Sequence, residues 1–371
     1  MPERERADRI AFFIRALSGG GAQRDTILLA NELAARGQAV DLLTLAPEGP
    51  LRPLVHAGVT IVPLGGGRLR SAVPALRRAL IERRPSALIS AEAAPNLLAL
   101  AAAGLVPHRI RPRIILREVS TPSIAQRLDP YRQNRIAYRI LHLAYRFADV
   151  VLTLTEGARR DLSREFGVPD DRLVRMSSNA VIETAADEVP PHRRERGLVA
   201  SVGRLSPEKD YATLIRAFAQ LGRTDLRLEI AGDGPMRATL QSLIDDLRVS
   251  DRVTLLGFVT DPFSVFRRAE LAVSSSRYEG FGNAIVEALA CGTPVVATDC
   301  PYGPGEILAG GECGLLVPIG DANALARGIE RALATRYDRA ALRARASAHT
   351  AARAADALLL VVHRLGGRGK T

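Results

Sequence analysis

The sequence predicts an α/β protein built from two doubly wound parallel-sheet domains. Three observations carry that expectation. Short apolar runs alternate with helical runs along almost the whole chain, the pattern of βαβ units whose strands are buried on both faces. The alternation lapses into a polar stretch near 179–191, closing on Pro190-Pro191, and then restarts. At 371 residues the chain also exceeds what one hydrophobic core normally serves.

In order, residues 10–14 (Ile-Ala-Phe-Phe-Ile) read as a first buried strand. Gly19-Gly20-Gly21 is the turn out of it, and 22–36 is a helix ended by Gly37. Further strands are expected at 40–45, 60–63, 87–90, 113–117 and 150–154, with helices near 71–83, 94–105, 131–147 and 156–166. After the lapse, strands are expected at 198–202, 226–231, 253–256, 271–273 and 294–297. Helices near 211–221, 235–247, 262–269, 283–290 and 321–334 separate or follow them, and 339–365 reads as one helix. The expected domains are 1–182 and 183–347, with a closing helix and tail, 348–371, that returns toward the first domain. Ligands in such sheets sit beyond the carboxyl ends of the strands.

Composition excludes several classes. No apolar run approaches the roughly 20 residues that span a bilayer. The charged start Met1-Pro2-Glu3-Arg4-Glu5-Arg6 does not read as a signal peptide. Cys291, Cys300 and Cys313 lack metal-ligand spacing and fit buried thiols in a reducing compartment. The formal charge of +11 is unevenly placed: residues 52–146 hold 16 Arg against 4 acids. Such a bias points to an anionic partner. Nucleic acid is disfavoured, because aromatics make up only 4% of the chain and no Trp is available for stacking.

The candidate chemistry concentrates in the second half. Of 51 Lys+Arg only Lys209 and Lys370 are lysine, so 51 − 2 = 49 are arginine. A lysine that stands against this bias suits a task needing a compact, rotatable ammonium. Arg204 and Lys209 lie five residues apart in the loop after the 198–202 strand, within reach of one diphosphate. Gly232-Asp233-Gly234-Pro235 turns from another strand into a helix, with Asp233 read as a turn former. In the segment 278–287, Glu279 precedes a glycine-rich turn and Glu287 falls on the following helix. Amides of Phe281, Gly282 and Asn283 at that helix start can bind an anion. The two carboxylates, pure acceptors when ionised, suit sugar hydroxyls. In the first half, the Gly20-Gly21 turn opens a helix and lets backbone N–H groups approach a phosphate.

These segments, in their order and spacing, resemble retaining glycosyltransferases of the GT-B fold, specifically glycosyltransferase family 4. The likeness runs from Gly20-Gly21-Ala22-Gln23-Arg24 through Gly203-Arg204 to Lys209, the Gly232–Pro235 turn, Glu279 and Glu287, and on through 288–297. It implies two Rossmann-like domains facing across a cleft. Arg204 and Lys209 would bind the donor diphosphate and neutralise the leaving nucleotide, an electrostatic task. Glu279 would orient the donor sugar, and Glu287 would accept from the ribose hydroxyls. Amides at Phe281, Gly282, Asn283 and Ala284, with Gly234, would line the donor, and Gly20 or Gly21 would close on it from the other domain. The resemblance implies no metal and no cofactor beyond a nucleotide-sugar donor, UDP first and a guanosine nucleotide second. The two carboxylates are therefore not a glycosidase pair.

Many family members place a histidine beyond a first-domain strand. Here the corresponding strand ends read Ser90-Ala91-Glu92 and Arg117-Glu118-Val119-Ser120, so Glu92, Arg117 and Glu118 become the acceptor-side candidates. The stretch 298–308 is similar to relatives that add hexoses or N-acetylhexosamines during surface-glycan assembly, although Gly305 stands where those relatives carry Arg. Arg132, Arg135, Arg139 and Arg146 recur at helical spacing, and Arg68, Arg70, Arg77, Arg78, Arg83 and Arg84 crowd a second segment. Such basic amphipathic surfaces suit anionic lipid. The expectation is a cytoplasmic enzyme, peripheral at the inner membrane face, that extends a glycan or a polyprenyl-diphosphate-linked acceptor. A GT-B sugar epimerase and an inactive sugar-nucleotide-binding protein are the alternatives.

Overall fold

The computed structural model describes residues 9–65, 69–129, 132–176, 178–182 and 194–367. Arg68, Lys370, Pro190 and Pro191 lie outside them, as does the side chain of Arg70. The chain divides into two compact units, Met1–Glu183 with His349–Thr371, and Thr184–Ala348.

The first unit is built on seven strands: β1 (Ile10–Ala16), β2 (Val40–Ala46), β3 (Val59–Pro63), β4 (Ala87–Ala91), β5 (Arg113–Glu118), β6 (Val150–Thr153) and β7 (Leu173–Arg175). They form one sheet in the order β3-β2-β1-β4-β5-β6-β7, every pair parallel. Between them run α1 (Gly21–Ala35), α2 (Leu69–Arg83), α3 (Ala93–Gly104), α4 (Pro122–Leu128), α5 (Arg132–Ala144) and α6 (Glu156–Phe166). The central strands are buried almost end to end because helices cover both faces, which is why they read as continuous apolar runs.

The second unit repeats the plan with β8 (Leu198–Val202), β9 (Arg227–Ala231), β10 (Val253–Gly257), β11 (Leu271–Ser274), β12 (Val295–Thr298) and β13 (Leu315–Val317). Their order is β10-β9-β8-β11-β12-β13, again all parallel. Its helices are α7 (Tyr211–Gln220), α8 (Arg237–Asp246), α9 (Pro262–Arg268), α10 (Asn283–Ala290), α11 (Pro304–Ile307), α12 (Ala322–Ala334) and α13 (Arg339–Ala346). The final helix, α14 (Ala351–Gly367), belongs to the first unit. There Arg36 on α1 holds Asp356 at 2.5 Å and the Ala352 carbonyl at 3.0 Å.

Three expectations need correction. The stretch 339–365 is not one helix. It breaks after α13, and Thr350 bridges Ile182 in parallel while Ala351 N donates to Ile182 O. A continuous helix has no backbone groups to spare for that pairing. Asn179, read as the start of a linker, is 1% exposed and locked in hydrogen bonds. Two edge strands, β7 and β13, were not anticipated, since three residues each give too little periodicity to detect.

Candidate active site

Both sheets reverse strand order at one place, between β1 and β4 in the first and between β8 and β11 in the second. The loops leaving two such strands diverge to opposite faces and open a crevice at their carboxyl ends. In the second unit these are residues 203–210 after β8 and 275–282 after β11. They carry Arg204, Lys209 and Glu279.

The two loops are stitched together. Lys209 Nζ donates to Glu279 Oε1 at 2.6 Å, and Ser276 Oγ donates to the same oxygen at 2.6 Å. Ser275 Oγ donates to the Lys209 carbonyl at 2.8 Å, and Arg277 N to the Glu208 carbonyl at 2.8 Å. The Arg277 guanidinium holds Asp210 Oδ2 at 3.0 Å. The Asp210 backbone is left-handed (φ 46°, ψ 44°), a conformation aspartate tolerates better than most side chains, and the Arg277 contact fixes its carboxylate there. The bend ends the turn Pro207–Lys209 and starts α7 at Tyr211.

The Lys209 and Glu279 side chains remain 23% and 12% exposed, open enough to meet a ligand. Burial works against the charge on Lys209. The Glu279 carboxylate more than offsets it, and the lysine pKa rises above its ordinary value. The ammonium is therefore charged throughout the physiological range. Arg204, five residues before it, is exposed.

The floor of the crevice explains its glycines. Gly203 lies against Tyr211 and Lys209: a Cβ there would meet Tyr211 Oη at 2.8 Å and Lys209 Cε at 3.5 Å. Gly232, with φ +142°, passes so close that a Cβ would fall 1.9 Å from the Gly203 carbonyl. That approach lets Gly203 N reach the Ala231 carbonyl and Leu205 N the Asp233 carbonyl. Gly234 packs on the Leu205 backbone, and Asp233 accepts from Gly234 N at 2.8 Å as a turn former.

Helix α10 begins directly after Glu279-Gly280-Phe281-Gly282. Its first residues, Asn283 and Ala284, therefore follow Glu279 by four and five positions, with Phe281 buried and Asn283 partly exposed. Glu287 is 7% exposed on the next turn of α10. The loop after β12 braces this turn through Glu279 N to Pro301 O at 3.4 Å. Burial pushes the Cys300 thiol there up to about 12, so it stays protonated and inert.

The first unit's candidates divide. Gly20 and Gly21 lie where β1 passes into α1, and Gln23 Oε1 accepts from Gly20 N at 3.1 Å. Glu92 leaves β4 on the other side of the reversal with φ 74° and ψ 151°, a backbone region that side chains rarely occupy. Arg117 and Glu118, at the end of β5, are buried to 1% and 0% exposure. Arg117 donates to Thr26 Oγ1 at 3.1 Å and to Asn179 Oδ1 at 2.9 Å, and Asn179 Nδ2 donates to Asp25 Oδ2 at 2.9 Å. Glu118 accepts from Tyr138 Oη at 2.8 Å, Tyr145 Oη at 2.6 Å and Ser120 N at 3.1 Å. Burial lifts the Glu118 carboxyl to about 7, against the pull of those donors. Sequence reasoning missed Ser275, Ser276, Arg277 and Asp210; the one signal was the serine run after β11.

Two family models match. Glycosyl transferases group 1 covers residues 183–349, and the Glycosyl transferase 4-like domain covers residues 20–178. Both halves are glycosyltransferase domains of the family 4 type. The fold agrees. The chain resembles TarM of Staphylococcus aureus, solved as a G117R mutant with fondaparinux, α-GlcNAc-glycerol and UDP. The TM-score is 0.79 at 13% identity, over 96% of this chain and 99% of that one. It also resembles HepE of Anabaena, solved with UDP and glucose, with a TM-score of 0.78 at 20% identity over 95% and 99%. These likenesses show the GT-B fold. Among curated proteins, the chain is 31% identical over 222 residues to the N-acetylgalactosamine-N,N'-diacetylbacillosaminyl-diphospho-undecaprenol 4-alpha-N-acetylgalactosaminyltransferase of Campylobacter jejuni. That match takes in 60% of this chain and 60% of the relative. Lipopolysaccharide core biosynthesis glycosyltransferase LpsE of Rhizobium meliloti is 42% identical over 137 residues, 37% of this chain and 39% of that protein.

Proposed function

We propose that the chain is a retaining glycosyltransferase. It moves a hexose or N-acetylhexosamine from a nucleotide diphosphate sugar, UDP in first place, to a glycan or polyprenyl-diphosphate-linked acceptor. The observation that carries this reading is the Lys209–Glu279 contact at 2.6 Å, made by loops from the two strands at which the sheet order reverses. A cation and a carboxylate held side by side there match a diphosphate joined to a sugar.

Lys209 and Arg204 stabilise charge on the departing nucleotide, and Glu279 receives hydroxyls of the donor sugar. Because Lys209 is already held by Glu279, and Glu279 by Ser276, little reorganisation is needed when the donor arrives. Glu287 takes the ribose hydroxyls, and the α10 amides face phosphate. In the transfer the bond from the anomeric carbon to the diphosphate oxygen breaks. The acceptor hydroxyl oxygen attacks from the same face, and its proton passes to the departing phosphate. The two cations, Arg204 and Lys209, serve where other transferases use a metal. The Campylobacter jejuni relative, whose name specifies an undecaprenol-linked acceptor, supports the lipid-linked reading.

A thermal-shift series across nucleotide sugars identifies the donor, since a ligand of the folded state raises apparent stability. Nucleotide release that requires a membrane extract then completes the case. Release without any acceptor favours an epimerase, and binding without turnover favours an inactive binder.

A further inference from the structure

We propose that the outward face of α5, with the turn that follows it, docks the protein on an anionic lipid bilayer. The inference deepens the lipid-linked reading above and rests on it for its purpose, but the surface is argued from its own residues.

Helix α5 has two apolar faces. One is buried: Ala137, Tyr138, Leu141 and, in the following turn Tyr145–Phe147, Tyr145 pack into the first unit. Tyr138 and Tyr145 fasten that side to the buried Glu118 carboxylate at 2.8 and 2.6 Å. The other face carries Ile136, Ile140, Leu143 and Phe147, exposed by 47%, 47%, 63% and 65%. Their spacing of four, three and four residues lines them up as one stripe. A single exposed leucine needs no explanation; a continuous stripe of large apolar side chains marks a contact surface.

The charges beside the stripe select its partner. Arg132, Arg139 and Arg146 are exposed and fall along one flank at helical spacing. Between residues 132 and 147 there is no aspartate or glutamate. Arg146 lies over the Phe147 ring, 5.0 Å from its centroid, so a cation and an exposed aromatic leave the surface together. Guanidinium groups beside a shallow apolar stripe suit phosphate headgroups above and acyl chains below. Among the described residues no helix is long and apolar enough to cross a membrane.

The test is co-sedimentation of the full chain with vesicles of phosphatidylcholine alone and with phosphatidylglycerol mixed in. Strong binding to the mixed vesicles, weak binding to the neutral ones and release by salt are expected. Arg132→Gln/Arg139→Gln/Arg146→Gln should lower affinity for the mixed vesicles by roughly 100-fold, about fivefold per guanidinium. Ile140→Asp/Leu143→Asp should lower it by at least about tenfold. Both variants should keep the parent melting temperature and the parent shift with donor nucleotide, which separates failure of docking from failure of the donor reading. Absence of binding to mixed vesicles overturns the proposal. So does parental binding by Ile140→Asp/Leu143→Asp. A parent dimer that this variant converts to monomer, with vesicle binding unchanged, would give the stripe to a second copy and overturn it as well.

Discussion

Charged side chains stand at the carboxyl ends of strands in both units, yet they do different things. In the second unit Lys209 and Glu279 pair at 2.6 Å and keep part of their surface open. In the first, Arg117 and Glu118 end β5, one strand beyond the reversal of order, and are shut in. Arg117 spends its guanidinium on Thr26 and Asn179, and Glu118 spends its carboxylate on two tyrosines. The contrast separates a pair that keeps part of its surface open, the one that meets the donor under the proposed reading, from charges shut in to hold elements together. Residue type does not distinguish them; position relative to the reversal and remaining exposure do.

Changes at four residues can break or sharpen this contrast. The largest effect is expected from Lys209→Ala, which should lower kcat about 1000-fold, near 4 kcal/mol of transition-state stabilisation, with little change in Tm. Lys209→Arg should also lose most activity, because a planar fork cannot replace the ammonium against Glu279. A fully active arginine variant would show that any cation serves at this position; a fully active Lys209→Ala would remove Lys209 from the mechanism.

Arg117→Ala should show the opposite signature, a loss of about 3 kcal/mol in stability by denaturant unfolding. It leaves Asn179 and Asp25 buried without their cation. A stable but inactive Arg117→Ala would mean that the residue works on substrate after all.

Glu118 gives a pH test of similar or slightly smaller size. Its folded pKa, about 7, stands above the usual glutamate value near 4.5. The folded state therefore holds the proton more tightly than the unfolded state. The associated stability is complete below about pH 4.5 and is lost as pH rises through 7, a difference of about 3 kcal/mol. Glu118→Gln should flatten this part of the Tm profile between pH 5 and 8; an unchanged profile would show that the carboxyl ionises without cost.

The smallest effect belongs to Arg277→Ala. Removing the clasp on Asp210 should raise KM for the donor roughly threefold, about 0.7 kcal/mol, and leave kcat near the parent value. Unchanged kinetics would show that Asp210 holds its left-handed bend unaided.

The strands of both sheets were legible because a parallel strand covered on two faces is apolar throughout, as in residues 10–14 and 198–202. The short edge strands β7 and β13 were not, nor was the break after α13, since each depends on a partner distant in sequence. In the candidate site, Lys209, Glu279 and Glu287 stood out by rarity and by motif. Ser276 and Arg277 did not, because a serine or an arginine in a loop carries no mark of what it will touch.

By itself the sequence determined two α/β units, the loops that hold the charged residues, and the basic bias of the first half. Those follow from local periodicity, from glycine and from composition, which act within a few residues. Only the tertiary structure decided that Lys209 meets Glu279 from 70 residues away, that Arg117 and Glu118 face inward, and that α5 turns Tyr138 in and Ile140 out. These are outcomes of strand order and packing, which bring distant segments to one place and set what is left for solvent.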